Sequence, residues 1–205
     1  MIDRTKPPIR SELLLVTPAA AEVVLVADLK IHLRVDGTDE DEYITALAAA
    51  ARSTVEDMTG LKLITSTWKA LLDGFPSGDQ PMELQVTPVQ SITHLKYNDA
   101  DGTQQTLSTS VYLSNTDVTP AVIWLDDGEQ WPTTYGRGLD IEIQFVAGYG
   151  AVGDTNVPAA IRQAILLLAG TWYENRESTI AGATISVVPH TVDMLLAPYK
   201  LRWIG

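Results

Sequence analysis

The sequence predicts an α+β fold, with a helical core built from N- and C-terminal segments and a β-rich antiparallel insertion between them. Three observations lead there. Apolar residues recur with helical spacing before residue 60 and again after Pro158, whereas between Leu61 and Gly150 their period is close to two. Turn residues (Asp73-Gly74, Asp101-Gly102, Asp127-Gly128 and Gly136) cut that middle stretch into short pieces. A chain of 205 residues, 45% of them hydrophobic, also has enough material to bury a core. The expected layout is an N-terminal arm over 1–12, a helical core over 13–60 and 157–205 that includes the C-terminal tail, and an insertion over 61–156.

Each element has its own signal. Leu25, Leu29 and Leu33 share one face of a short helix over 27–35, which Asp36-Gly37 ends. Thr38 or Asp39 then caps a longer helix, with Asp41 or Glu42 placed to complete a capping box. Ile44, Leu47, Ala48, Ala51, Val55 and Met58 line one face of it, and Gly60 suits its C-terminal stop. The small side chains from Ala48 to Ala51 allow a second helix to pack closely. Short strands are expected over 67–72, 82–86, 91–97, 105–107, 111–113, 122–125 and 140–147. In the last of these, Ile141, Ile143 and Phe145 alternate with Glu142 and Gln144, as in a half-buried strand. Pro158 fits the first turn of a helix that carries Ile161, Ala164, Ile165, Leu168 and Trp172 on one face and Leu166, Leu167 and Tyr173 on a second. A connector over 178–188 leads to a final short helix over 191–197, which Pro198 ends or kinks.

Composition narrows the function. With no cysteine, a disulfide scaffold, a thiol nucleophile and cysteine-ligated zinc are all excluded. Lys plus Arg number 14 against 26 Asp plus Glu, a balance that opposes gripping nucleic-acid phosphates. The imbalance is local. Residues 36–160 hold 19 acids and 5 bases, while the two ends together hold 7 acids and 9 bases. No stretch approaches the ~18 apolar residues a membrane span needs, so no membrane partner is expected. Arg4, Lys6 and Arg10 precede Leu13-Leu14-Leu15-Val16, but four apolar residues are too few for a signal peptide, and no targeting signal is expected.

Candidate chemistry meets a plainer explanation at each place. Gly148-Tyr149-Gly150-Ala151-Val152-Gly153 matches GxGxxG after a strand, but Asp154, Asn156 and Pro158 start the helix too late for its amides to cradle a pyrophosphate. Asp99, Asp101 and Gly102 imitate part of a calcium loop, yet Tyr97 and Ser108 occupy its outer ligand positions, and a hairpin turn accounts for them better. Asp36, Asp39, Glu40, Asp41 and Glu42 sit where a helix dipole favours acids. His32, His94 and His190 lie in three different elements, and neither a serine elbow nor a phosphate-binding GKS/T loop is present. No catalytic, cofactor-binding or metal-binding residue is expected, and the chain is not expected to be an enzyme.

The C-terminus stands out, because chain ends are usually polar. Leu195, Leu196, Tyr199, Leu201, Trp203 and Ile204 crowd apolar mass there, joined by Lys200 and Arg202. These eight form the candidate partner-binding set. The tail either docks on the chain's own core or is kept for another subunit.

Several blocks, taken in order, carry a resemblance. Leu15-Val16-Thr17-Pro18 leads into Ala27-Asp28-Leu29-Lys30-Ile31-His32-Leu33-Arg34-Val35 and Asp36-Gly37-Thr38-Asp39-Glu40-Asp41. Trp131-Pro132-Thr133-Thr134-Tyr135-Gly136-Arg137 and Phe145-Val146-Ala147-Gly148-Tyr149-Gly150 follow. Val157-Pro158-Ala159-Ala160-Ile161-Arg162-Gln163-Ala164-Ile165 then runs to Trp172-Tyr173-Glu174-Asn175-Arg176-Glu177, and Leu195-Leu196-Ala197-Pro198-Tyr199-Lys200 closes the series. From about Leu13 to the end the chain resembles the head–tail connector (adaptor, head-completion) proteins of tailed phages, prophages and gene transfer agents. That resemblance implies a structural ring, commonly of twelve copies, beneath the portal in the virion neck. Such a ring extends the DNA channel without binding DNA specifically, receives the stopper or tail-terminator protein, and is assembled in the host cytoplasm. It also implies that the tail meets the portal. The chain departs from the pattern in its first dozen residues and at Val26, where a Ser or Thr cap is expected. Two other readings are another neck or tail protein, such as a stopper, and a β-rich module recognising a host glycan through Trp68, Trp124 and Trp131.

Overall fold

Residues 11–19, 22–78, 80–150, 156–176 and 190–201 are described in the computed structural model. They belong to a sheet unit, Met1–Pro18 with Ser66–Gly148, and a helical unit, Ala19–Thr65 with Tyr149–Gly205.

The sheet unit contains β1 (Ser11–Thr17), β2 (Ser66–Leu72), β3 (Met82–Leu84), β4 (Val89–Asn98), β5 (Gln104–Thr106), β6 (Tyr112–Asn115), β7 (Ala121–Leu125) and β8 (Ile141–Ala147). All pairings are antiparallel. One sheet has the order β1-β2-β8-β4-β5, the other β3-β7-β6. The central strand β8 shows why. Ile141, Ile143, Phe145 and Ala147 are fully buried, while Glu142, Gln144 and Val146 between them lie on the other face. Register aligns Trp68 and Ile92 with Phe145, and Ala70 and Leu95 with Ile143, so apolar side chains meet on one side. The smaller sheet supplies Met82, Leu84, Tyr112, Ala121 and Ile123 to the same core. On the opposite face Glu142 accepts hydrogen bonds from Lys69 and His94, each at 3.0 Å. Burial opposes ionisation of Glu142, but these two partners outweigh it and hold its carboxyl below the usual range.

Strands expected from periodicity all form, with ends displaced by a few residues. One strand was not expected. Residues 11–17 pair with β2 from Ser11 opposite Leu72 to Thr17 opposite Thr67. The sequence pattern assigns 1–12 to an arm and 13–17 to the helical core. Four consecutive apolar residues have neither a two-residue nor a helical period, so pattern alone is silent there.

The helical unit contains α1 (Val26–Leu33), α2 (Asp41–Thr59), α3 (Ala159–Glu174) and α4 (His190–Leu196), followed by a 3-10 turn over Ala197–Tyr199 that contains Pro198. Ala48 and Ala51 of α2 are buried in the same core as Ile161, Ala164, Ile165, Leu168 and Ala169 of α3. Leu29 of α1 and Val192 and Leu196 of α4 join it. The connector expected over 178–188 lies outside the described residues.

Both N-terminal caps differ from expectation. α1 follows Leu25 and α2 follows Glu40, neither with a side-chain cap. Of the residues expected to cap α2, Asp41 is engaged elsewhere, and Glu40, which is not among them, stands at the N-cap. Asp41 pairs with Lys30 at 2.6 Å, and Glu40 accepts hydrogen bonds from Tyr173 and Arg176. The stop is as expected. Gly60 adopts φ 77° and donates its N–H to Glu56 O at 2.8 Å. One turn before it, the buried Glu56 carboxylate accepts from the Leu63 amide at 3.0 Å and pairs with Lys62 at 3.1 Å and Arg52 at 3.3 Å.

Two substitutions test the two cores separately. Ala48→Trp forces a large ring into a filled helix interface and should cost about 1–3 kcal/mol or more. Phe145→Ala empties the centre of the sheet core and should cost about 3–5 kcal/mol. Urea unfolding measures both, and a wild-type midpoint for either variant would place that residue outside the core.

Candidate partner-binding site

Chain direction after α4 is set by Pro198, which cannot continue the α-helix and instead sits in the 3-10 turn. The tail then runs back over the end of α2. Leu201 donates its N–H to Thr59 O at 2.9 Å, and its side chain lies over Gly60. A Cβ at Gly60 would stand 3.2 Å from Leu201 Cδ1, so the missing side chain serves both the positive φ and the close approach.

The structure brings part of the candidate set together. Leu196 is fully buried, and Leu195, Tyr199 and Leu201 pack against the helical core. Lys200 pairs with Asp193 of α4 at 3.0 Å. Arg202, Trp203 and Ile204 lie outside the described residues. Through Leu201, then, the tail is docked on its own unit. Met194, which the sequence reading left out of the set, is 66% exposed on α4. Burial, together with the neighbouring Tyr199 hydroxyl, pushes the Tyr149 hydroxyl above its usual value.

At the other end of the helical unit, Arg176 lies 4.7 Å over the Tyr43 ring and 5.2 Å over the Tyr173 ring. Its guanidinium and the Tyr173 hydroxyl both donate to the Glu40 carboxylate. The Tyr173 bond first, then Arg176, holds Glu40 below the usual carboxylate range. This cluster ties the start of α2 to the end of α3. Sequence reasoning had no signal for it, because its members stand 136 residues apart.

The remaining candidates take structural places. Asp99 accepts from the amides of Asp101 and Thr103 and from the Gln105 side chain, as a hairpin turn requires. In the glycine motif, the Gly148 amide donates to Pro88 O, while residues 151–153 lie outside the described residues. Among the described residues, no group of three or more His, Asp or Glu side chains is arranged to hold a metal ion. No helix among them is long and apolar enough to cross a membrane. Trp68 donates its ring N–H to Ser66 Oγ at 2.8 Å, and Trp131 stacks on Phe75 with centroids 4.6 Å apart. Both rings are committed within the sheet unit. Trp124 is half-buried on β7.

The family model described as phage gp6-like head-tail connector protein matches residues 24–123, from just before α1 into β7. A chain in the neck of an empty GTA particle, computed with C6 symmetry, is 27% identical, with a TM-score of 0.76 over 95% of this chain and 98% of its own. Together the family match and this neck chain support a phage head–tail connector protein. The connector is also similar to a chain in the virion of a native gene transfer agent (GTA) particle, at 27% identity and TM-score 0.74 over 94% and 97% of the two chains. A chain in the neck of a native GTA particle, computed with C12 symmetry, is 26% identical to it, with TM-score 0.74 over 95% and 98%. No curated protein gives a significant match to the connector.

Two measurements test the geometry of this site. Gly60→Ala should cost about 1–2 kcal/mol from the left-handed backbone alone, plus a further loss from displacing Leu201. Gly37→Ala, at φ 83° with open space around it, should show only the backbone cost, and equal losses at the two positions would deny Leu201 its role. The second concerns pH. A carboxyl whose folded value lies below its unfolded value stabilises fully above the ordinary range, and that contribution disappears as pH falls through the folded value. The Tm difference between wild type and Glu40→Gln at neutral pH should therefore shrink steadily on acidification, and a pH-independent difference would contradict the cluster.

Proposed function

We propose that the connector assembles as a ring beneath the portal, extends the DNA channel there, and receives the stopper or tail-terminator protein. Supporting this reading is its similarity, over nearly its full length, to chains in particle necks computed with C6 and C12 symmetry. Twelve copies satisfy both symmetries. The connector acts as a rigid spacer in the virion neck, and its work is mechanical. Net charge of −12, concentrated as surplus acid between residues 36 and 160, suits a channel that DNA passes without sticking.

Portal contact is assigned to the C-terminal tail. Leu195, Leu196, Tyr199 and Leu201 seat the tail on the helical core and Lys200 pairs with Asp193, which leaves Arg202, Trp203 and Ile204 beyond them to meet the portal. Aromatic and basic side chains of this kind dominate interface energetics. Removing 202–205 should leave the melting temperature unchanged and abolish co-elution with portal rings. Removing 199–205 should also lower the melting temperature, because Tyr199 and Leu201 pack on the core. If the shorter truncation binds portal rings as the full chain does, the tail is not the anchor.

A further inference from the structure

The edge strands of the sheet unit are unequal. β3 is three residues long and preceded by Pro81, β5 is Gln-Gln-Thr, and β6 ends in Ser114 and Asn115. Short, polar or proline-flanked edges resist pairing with other chains. β1 is longer and more apolar, although Glu12, the register shift between Leu15 and Thr17 and the following Pro18 blunt its ends. It runs for seven residues and is joined only to β2 among the described residues. Leu13, Leu14, Leu15 and Val16 are 40%, 47%, 49% and 45% exposed, and alternation places two of them on each face of the strand. An apolar edge open on both faces is an interaction surface or an aggregation hazard.

Topology puts a second apolar surface on the opposite flank. A groove of about 240 Å³, lined by Leu13, Ala70, Leu72, Pro81 and Glu83, brings β1 and β2 beside the segment that leads into β3, so β1 and β3 share one flank. The two sheets end at the other side in β5 and β6, which only residues 107–111 separate. There Leu113 on β6 and Val118 in the following turn are 45% and 42% exposed. A cyclic ring needs two such different surfaces on each subunit, because every contact in it is head-to-tail.

We infer that the β1 flank of one connector docks against the β6 flank of the next copy, with Leu13 to Val16 meeting Leu113 and Val118. The inference rests on the ring reading above and adds the surface through which neighbours meet.

Because the chain has no cysteine, substituted thiols are the only ones present. Leu14→Cys and Leu113→Cys are introduced into the same chain, both at exposed positions, and treated with a short bismaleimide. The reaction is run on the connector alone and on connector bound to portal rings. A ladder of covalent multimers is expected from the double variant, and only monomers from either single variant. Rings that form without a ladder overturn this surface while leaving the ring reading intact. Dimers from Leu14→Cys alone indicate like-with-like pairing of β1 and also overturn it. A connector that stays monomeric in both settings overturns the ring reading and this inference with it. As a second arm, Leu14→Lys with Val16→Lys should abolish rings while keeping the subunit's melting temperature, and rings surviving that change would likewise refute the contact.

Discussion

Where α2 ends, a buried carboxylate and a missing side chain together fix the path of three segments. Glu56 is 7% exposed, so its charge has to be matched, and Arg52, Lys62 and the Leu63 amide do so. Those partners hold the chain as it leaves the helix. Arg52 in turn pairs with Glu22 at 2.6 Å, which fixes the approach to α1. One turn on, Gly60 stops the helix and leaves room for Leu201, so the C-terminal tail is positioned by the same few residues. Helix length, chain exit and tail placement are therefore one constraint rather than three.

Both periodicities were legible in the sequence because burial enforces them. β8 could be read residue by residue, since one of its faces is fully buried and the other carries Glu142 and Gln144. The α2 face and its glycine stop were equally plain, as packing leaves no freedom at Ala48, Ala51 or Gly60. What could not be read depends on partners distant in sequence. A capping box was a sound local expectation, but Asp41 is drawn to Lys30 instead, and the observed N-cap, Glu40, to Arg176 and Tyr173. Composition could not decide which apolar tail residues are covered. Leu196 is buried and Met194 is exposed, although they stand two apart on one short helix.

The candidate site illustrates the same limit from the functional side. Order and spacing of short sequence blocks pointed to a connector before any fold was known, and no catalytic motif competed with them. Individual residues in those blocks carry structure first. Trp131 is an aromatic brace against Phe75, and Tyr135 lies against Gly102 with Arg137 4.5 Å from its ring centroid. A family pattern can thus be specific without marking the residues that touch a partner, because it also records what holds the subunit in shape.

The pairing of β1 with β2 has a consequence for how the chain comes to be folded. Ser11 meets Leu72 and Thr17 meets Thr67, so the whole of α1 and α2 is synthesised between the two strands. β1 leaves the ribosome early and must wait, apolar and unpaired, until its partner has been made. Contacts of that sequence separation close late and slow folding, because the intervening loop has to be ordered before they are rewarded. Completion of α1 and α2 shortens that loop, so ordering the helices first lowers the entropic cost of closing it.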